Sequence, residues 1–211
     1  MLQTSQSSVL RRNVNESPFV SRAGLKLEHA LNTFKFDVNG FVCADLGCNI
    51  GGFSDCLLQR GAQKLYAVDT GYGTFAWKLR SDQRVTTMER TNALHVEPPE
   101  LVDLVVVDLG WTKQTVALPA AMRWISEGTI ISLVKPHYEL SEEEKQTESV
   151  GEGLSAEAIE RVMERVRITC DELGLEILGE TTSPIKGKKS SKKGRGNSEI
   201  LLLLRCSQNV N

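Results

Sequence analysis

The feature that most constrains this chain is an apolar run that leads straight into a glycine-rich turn. Residues 42–53 read Val-Cys-Ala-Asp-Leu-Gly-Cys-Asn-Ile-Gly-Gly-Phe, and residues 65–69 read Leu-Tyr-Ala-Val-Asp. We interpret them as a buried strand, a loop, a helix, and a second strand that ends in a carboxylate. This order is typical of a parallel sheet that holds a nucleoside-containing cofactor beside the ends of its strands.

The same alternation of strands and helices continues along the chain. The sequence predicts strands at 41–46, 64–69, 85–89, 101–108, 129–134, 175–181 and 198–205, and helices at about 21–34, 52–59, 75–80, 115–125 and 156–173. Residues 139–153 are predicted to form a long acidic loop. The alternation predicts an α/β fold with helices on both faces of a mostly parallel sheet. The last two strands follow each other without a helix, which predicts an antiparallel last strand.

Length and composition are those of an ordinary single domain. The chain has 211 residues, of which 40% are hydrophobic and 25% are charged. We expect a polar tail or linker at 1–20, one domain at 21–206, and a short tail at 207–211. No apolar run approaches the roughly 20 residues that span a bilayer, and the N-terminus does not resemble a signal peptide. We therefore predict a cytoplasmic protein without a membrane partner.

Cysteines and charges exclude some classes of site. The five cysteines are an odd number and form no Cys-x-x-Cys pair, so we expect neither a disulfide framework nor a metal site. The formal net charge is −2, which by itself gives no sign of nucleic-acid binding. However, residues 186–195 carry only positive charges, whereas residues 139–152 are mostly acidic. Both runs are predicted to be polar surface loops.

The glycine loop indicates which cofactor the strand ends could bind. Its pattern is Asp-x-Gly-x-x-x-Gly-Gly over residues 45–52, which is not the Gly-x-Gly-x-x-Gly fingerprint of dinucleotide sites. A carboxylate at Asp69 can accept both hydroxyls of a ribose, and Asp45 could accept an amino group. These features fit S-adenosylmethionine better than a nicotinamide dinucleotide. A dinucleotide site and a purely structural turn remain as alternatives at this point.

Six segments carry a resemblance to a known family. They are Ser-Arg-Ala-Gly-Leu-Lys-Leu (21–27), Gly-Gly-Phe-Ser-Asp-Cys-Leu-Leu-Gln-Arg-Gly-Ala (51–62), Val-Asp-Thr-Gly-Tyr-Gly (68–73), Glu-Arg-Thr-Asn (89–92), Val-Lys-Pro (134–136) and Ser-Pro-Ile-Lys-Gly (183–187). In this order they resemble the catalytic domain of the TlyA family, whose members are also named hemolysins and are similar to FtsJ-type methyltransferases. The resemblance implies a seven-stranded class I, Rossmann-like methyltransferase fold. It also implies transfer of a methyl group from S-adenosylmethionine to ribose 2′-hydroxyls of ribosomal RNA.

The resemblance also implies a set of site residues. The family's Lys-Asp-Lys-Glu tetrad falls on Lys26, Asp108, Lys135 and Glu199. Lys135 is the candidate base, Asp108 would orient its amino group, and the other pair would hold the acceptor hydroxyl and balance charge. The cofactor candidates are Asp45, Gly47, Cys48, Asn49, Gly51, Gly52, Phe53, Asp69, Thr70, Asn92 and Asp108.

RNA, as ribosomal RNA or a ribosomal subunit, is the predicted partner. The candidate RNA-binding residues are Arg22, Trp111, Lys186, Lys188, Lys189, Lys192, Lys193 and Arg195. Trp111 could stack on an unpaired base, as could His137 and Tyr138. Trp77 is expected to lie in the core instead.

The chain departs from the family pattern near the expected acceptor. Typical members carry an N-terminal S4 RNA-binding domain, where this chain has the polar residues 1–20, so a separate partner could supply RNA targeting. The segments after Asp108 and Lys135 differ, and a lysine-rich insertion follows residue 187. Methyl transfer to another acceptor, or RNA binding without catalysis, therefore remain alternatives. A membrane-active hemolysin is disfavoured, because no cationic amphipathic segment supports it.

Overall fold

The computed structural model describes residues 17–148, 153–187 and 196–206. The strands are β1 Val42–Leu46, β2 Lys64–Val68, β3 Val85–Met88, β4 Leu104–Val107, β5 Thr129–Val134, β6 Leu175–Thr182 and β7 Ile200–Cys206. The helices are α1 Gly24–Phe34, α2 Gly52–Gln59, α3 Trp77–Arg80, α4 Gln114–Met122, α5 Pro136–Glu139, α6 Glu142–Thr147 and α7 Ala156–Glu172. Nearly all of the expected tail at 1–20 and all of that at 207–211 lie outside these ranges.

One seven-stranded sheet organises the molecule. Its strand order is β3-β2-β1-β4-β5-β7-β6. The pairs among β1 to β5 are parallel, whereas β7 lies between β5 and β6 and is antiparallel to both. The prediction of a mostly parallel seven-stranded sheet with an antiparallel last strand is confirmed.

Helices cover both faces of the sheet, and each face has its own apolar core. On one face, α1 and α2 pack on the strands through side chains such as Leu31 and Leu57. On the other face, α4 and α7 do so through Leu118 and Val166. All four residues of β4 are buried, as expected for a central parallel strand covered on both sides.

The prediction of an acidic loop at 139–153 is wrong for residues 142–147, and residues 149–152 lie outside the described ranges. Residues 142–147 form α6, because Ser141 and Glu144 make a reciprocal capping box that satisfies backbone N–H groups at the helix start. Glu144 also forms an ion pair with Arg165 of α7 at 2.9 Å. A run of acids can therefore be helical when its first turn is capped and its carboxylates meet arginines.

The core assignment of Trp77 is also wrong. Its side chain is 77% exposed, and Phe75 occupies the buried position beside α2 instead. A helix of four residues carries too little periodicity to show which aromatic faces inward.

Within the described ranges, no helix is both long enough and apolar enough to cross a lipid bilayer. The five cysteines are all free thiols, and four of them are buried.

Candidate active site

The candidate site lies where the strand order of the sheet reverses. The chain proceeds from β1 outward to β3 and then returns to β4 on the other side of β1, so the loops after β1 and β4 diverge. Ligands of open α/β sheets bind in the crevice that this divergence opens at the carboxyl ends of the strands. Gly47, Asp69, Asp108 and Lys135 directly follow β1, β2, β4 and β5.

Two neighbouring cavities occupy this crevice. The first, called here the lysine cavity, has a volume of about 470 Å³ and is lined by residues that include Lys26, Asp45, Lys135 and Glu199. The second, called the Asp69 cavity, has a volume of about 590 Å³. The two share a wall made by Gly47, Asn49, Asp108, Gly110 and Trp111. A ligand that spans both would therefore pass directly in front of β1 and β4.

Gly47 is the residue that lets the chain turn sharply off β1. Its φ is +91°, and a Cβ atom there would lie 2.6 Å from the backbone carbonyl oxygen of Asp108. Both the conformation and the space therefore require glycine. Gly52 is similarly tight, because its Cβ would meet the Ser21 hydroxyl. Gly51 faces Leu79 and has φ +103°, so packing and conformation together explain glycine there.

Asp69 is held in place by backbone donors in the Asp69 cavity. One of its oxygens accepts a hydrogen bond from the Asn49 N–H at 2.8 Å, and the other accepts one from the Gly71 N–H at 2.7 Å. Each carboxylate oxygen keeps a lone pair for a further donor, such as a ribose hydroxyl. Thr70 and Asn92, both predicted from the sequence, also line this cavity.

Asp45 is a buried carboxyl group with one unsatisfied oxygen. Its Oδ2 accepts a hydrogen bond from the Ser54 hydroxyl at 2.6 Å, whereas its Oδ1 has no hydrogen-bond partner. Burial raises the pKa of Asp45 to about 7, against the opposing Ser54 hydrogen bond and with smaller repulsion from Asp108 and Asp69. Asp45 lines the lysine cavity, so a cationic donor placed there would satisfy the free oxygen and favour its ionised form.

Two ion pairs face the lysine cavity. Lys26 of α1 pairs with Glu199, and both side chains are at least nine-tenths buried. Lys135 pairs with Asp108 and also donates to the Leu109 carbonyl oxygen at 3.2 Å. The structure thus brings together all four residues of the tetrad expected from the sequence.

Strand register explains how distant parts of the chain supply these groups. Val134 of β5 pairs with Ile200 of the antiparallel strand β7. Lys135 follows Val134 and Glu199 precedes Ile200, so Lys135 and Glu199 lie across from each other. Ion pairs withdrawn from solvent contribute little net stability compared with apolar packing, so one buried and one partly buried pair at one cavity indicate a functional site.

Aromatic side chains form the mouth of the lysine cavity. Trp111 is 86% exposed and stacks on Tyr138 with ring centroids 4.7 Å apart. The neighbouring His137 has its pKa lowered to about 4, by burial first and by the Lys135 charge second, so its ring is neutral near pH 7. Its Nδ1 atom is buried without a hydrogen-bond partner.

The predicted RNA-binding residues are only partly described. Arg22 is exposed and lines the lysine cavity. Lys186 is also exposed and precedes Gly187, another lining residue. The rest of the basic run lies outside the described residues, namely Lys188, Lys189, Lys192, Lys193 and Arg195.

Sequence reasoning missed several residues of the crevice. Ser54 fixes Asp45, and the signal that could have revealed it is a hydroxyl group in the first turn of the helix that follows the glycine loop. Ile50, Thr74 and Thr91 also line the cavities. Ile50 lies in the glycine loop and Thr91 in the 89–92 segment, but neither residue type signals a cofactor contact.

Comparison with known proteins decides the family. A model of the FtsJ-like methyltransferase family matches residues 19–193, which is most of the chain. The chain belongs to this family.

Relatives of this FtsJ-like methyltransferase include proteins named TlyA and proteins named hemolysins. It is 38% identical over 202 residues to the 16S/23S rRNA (cytidine-2′-O)-methyltransferase TlyA of Mycobacterium tuberculosis, covering 90% of this chain and 70% of that protein. The match to TlyA confirms the resemblance found in the sequence.

Two solved structures of hemolysin-named proteins have the same fold. The one from Streptococcus thermophilus is 34% identical with a TM-score of 0.83, covering 93% of this chain and 70% of that chain. The one from Lactococcus lactis is also 34% identical, with a TM-score of 0.80, covering 92% of this chain and 94% of that one.

The cofactor of this FtsJ-like methyltransferase is S-adenosylmethionine, as the sequence predicted. The chemistry of the crevice fits it. The free Oδ1 of Asp45 suits the ammonium group of the methionine part, and Asp69 suits the ribose hydroxyls.

Proposed function

We propose that this protein transfers the methyl group of S-adenosylmethionine to a ribose 2′-hydroxyl of ribosomal RNA. The observation that carries the proposal is the meeting of two ion pairs beside the Asp69 cavity. Lys26 with Glu199 is buried, and Lys135 with Asp108 is partly buried. The name of the Mycobacterium tuberculosis relative supports the choice of acceptor.

In this proposal the cofactor spans the shared wall of the two cavities. Asp69 accepts the ribose hydroxyls while Thr70 and Asn92 flank the adenosine, and Asp45 accepts the ammonium group. The remaining contacts come from the backbone and side chains of the loop after β1 and the start of α2, namely Gly47, Cys48, Asn49, Gly52 and Phe53.

The acceptor hydroxyl is a poor nucleophile until its proton is removed. When bound, S-adenosylmethionine supplies an activated methyl group and a positive sulfonium charge. The amino group of Lys135, in its neutral form, accepts the hydroxyl proton, while Asp108 and the Leu109 carbonyl orient that group. Lys26 donates to the hydroxyl oxygen, and Glu199 balances the charge of Lys26.

The acceptor nucleotide enters past the aromatic mouth. Trp111 stacks on its base, because an exposed indole already paired with Tyr138 offers a rigid platform for an unpaired base. Arg22 and the basic run that begins at Lys186 bind neighbouring phosphates.

Loss of the Lys135 amino group tests the proposal. Lys135→Met should lower kcat for methyl transfer to isolated ribosomal subunits or their RNA by roughly 100-fold or more, the scale of a lost general base. Calorimetry should show cofactor affinity largely preserved. Lys145→Met is the matched control, since Lys145 is an exposed lysine of α6 that pairs with Glu142.

The product distinguishes the alternatives. Ribose-specific mapping of the labelled RNA should show a 2′-O-methyl group. Cofactor binding without methylation of any ribosomal RNA or subunit would reject RNA as the acceptor. Repeating the assay with added cell extract tests the further proposal that a partner supplies RNA targeting.

A further inference from the structure

The carboxyl edge of the sheet exposes two aromatic side chains that the proposed reaction does not use. Tyr72 lies in the loop after β2 and is 69% exposed, and Trp77 begins α3 and is 77% exposed. Tryptophan is usually largely buried in folded proteins, so an indole this exposed calls for an explanation.

Both side chains lie beside the cavities. Gly71 and Thr74, which flank the Tyr72–Gly73 step, line the Asp69 cavity. The N–H of Ala76, the residue before Trp77, donates to the Ile50 carbonyl at 3.0 Å, and Ile50 lines the lysine cavity. A strand of nucleic acid with one nucleotide in the lysine cavity would therefore have neighbouring nucleotides within reach of this segment.

The segment is held in a fixed shape. Glu89 accepts hydrogen bonds from the Gly73 N–H at 2.7 Å and from the Arg80 guanidinium at 2.6 Å, which ties the loop to α3. The Arg90 guanidinium lies 4.1 Å from the centroid of the Tyr72 ring. A preorganised aromatic surface loses little conformational entropy when a planar ligand stacks on it.

The charge that this segment presents to solvent is positive. Arg90 and Lys78 are exposed, and Lys78 also forms an ion pair with the buried Asp55 at 3.3 Å. The acids Asp69, Asp82 and Glu89 are half-buried. Each of these three acids accepts hydrogen bonds from backbone N–H groups or from an arginine. The outward field therefore favours an anionic ligand.

We infer that Tyr72, Trp77, Lys78 and Arg90 form a second RNA contact, the flanking surface, which binds unpaired nucleotides next to the acceptor nucleotide. The inference rests on the proposed function. Aromatic faces interleaved with cations bind single strands without regard to sequence, because every base has a face to stack and every nucleotide carries a phosphate. The same positive charge disfavours packing against a second copy of this chain.

Kinetics of single variants test the flanking surface. Trp77→Ala and Tyr72→Ala should each raise KM for the ribosomal RNA substrate by about 5- to 50-fold, the scale of one lost base stack. The kcat at saturating RNA and the cofactor affinity should not change, because neither side chain reaches the cavities. Trp77→Phe should restore most of the RNA affinity. Ile168→Ala, which removes a half-exposed side chain of α7, is the control.

Fluorescence gives a direct readout of stacking. In a Trp111→Phe variant, Trp77 is the exposed indole, because Trp124 is fully buried. A single-stranded RNA oligonucleotide should quench its emission more strongly than the same sequence as a duplex. Equal quenching by both, or none, would contradict stacking of unpaired bases.

The outcomes separate this inference from the proposed function. Unchanged KM in both alanine variants, with a wild-type protein that methylates RNA, overturns the flanking surface and leaves the proposed function intact. A change of oligomeric state in Trp77→Ala with unchanged KM also overturns it, in favour of self-association. A wild-type protein that binds cofactor but methylates no RNA rejects the proposed function, whatever the quenching shows.

Discussion

Asp45 is a carboxyl group whose burial opposes its own ionisation. One oxygen of its carboxyl group accepts a hydrogen bond from Ser54, and the other has no partner. Burial raises the pKa of Asp45 to about 7. The ionised carboxylate of Asp45 destabilises the free protein, but it is stabilised when a cation binds beside it. Binding energy and folding energy are therefore in conflict at this position, as is common at functional sites.

Cofactor affinity should rise with pH up to about 7. Below the pKa of Asp45 the carboxyl group is neutral, so binding of an ammonium group must first release its proton. Affinity should weaken by up to about tenfold per pH unit below 7 and level off above it. Calorimetry of S-adenosylmethionine between pH 5.5 and 8, in buffers of different ionisation enthalpy, measures both the affinity and the released proton. In Asp45→Asn the affinity should be low at every pH, and a wild-type profile that is flat would contradict the assignment.

The free protein should be stabilised by Asp45→Asn. The folded pKa of about 7 lies above the usual value of 3.8, so the folded state holds a proton that the unfolded state loses between these values. Stability contributed by Asp45 is therefore present below pH 4 and lost as the pH rises through 7, at a cost on the order of 4 kcal/mol.

Thermal unfolding at pH 8 and pH 5 measures this effect. The variant should exceed the wild type in Tm at pH 8, and by less at pH 5. Asp55→Asn is the contrasting control, because Asp55 is buried but accepts hydrogen bonds from Val20, Gln59 and Lys78, so its loss should destabilise. A destabilised Asp45→Asn at pH 8 would show that the carboxylate has an undetected partner.

At the scale of elements, the β1–loop–α2 unit depends on the close approach of Gly47 to β4. Gly47→Ala should lower the free energy of unfolding by roughly 1–2 kcal/mol, because alanine is strained in the left-handed conformation. Displacement of the Asp108 backbone should lower it further, by on the order of 1–3 kcal/mol. Gly40→Ala is the matched control, since Gly40 has φ +79° but nothing within 4 Å of an added Cβ. Urea unfolding should show a larger loss of stability for Gly47→Ala than for Gly40→Ala. Equal losses would mean that the Asp108 backbone moves away from the added Cβ without cost.

The sequence predicted elements best where a pattern is continuous. The bounds of β5 and α2 match the predictions, because a mostly apolar run and a glycine-bounded helix leave few alternatives. The predictions were wrong for α6 and Trp77, where a cap and a tertiary contact decide the outcome over a few residues. The pairing of Lys26 with Glu199 is invisible to periodicity, because it joins α1 to the start of β7 through packing. The resemblance to a family, and not spacing, singled out these four residues.

At the scale of the whole molecule, the cofactor crevice joins the ends of β1, β2 and β4, so ligand binding should stabilise the entire sheet. Addition of S-adenosylmethionine at 100 times its Kd contributes about 2.7 kcal/mol. For a domain of this size that corresponds to a rise in Tm of roughly 5–10 °C in differential scanning fluorimetry. Asp45→Asn should show little or no rise at the same concentration. If the Tm of the wild type does not change when the cofactor is added, these strand ends do not form the cofactor site.

The antiparallel pairing around β7 has a consequence for how this chain can change. The Gly187 N–H donates to the Asn197 carbonyl at 3.0 Å. This hydrogen bond joins the chain just before residues 188–195 to the chain just after them, two residues ahead of Glu199. Insertions or replacements between these two joined ends can alter the length and charge of the segment without moving Glu199, which pairs with Lys26. A change in the length or charge of residues 188–195 should therefore leave the Lys26–Glu199 pair in place, so the basic run and the site residues can vary independently.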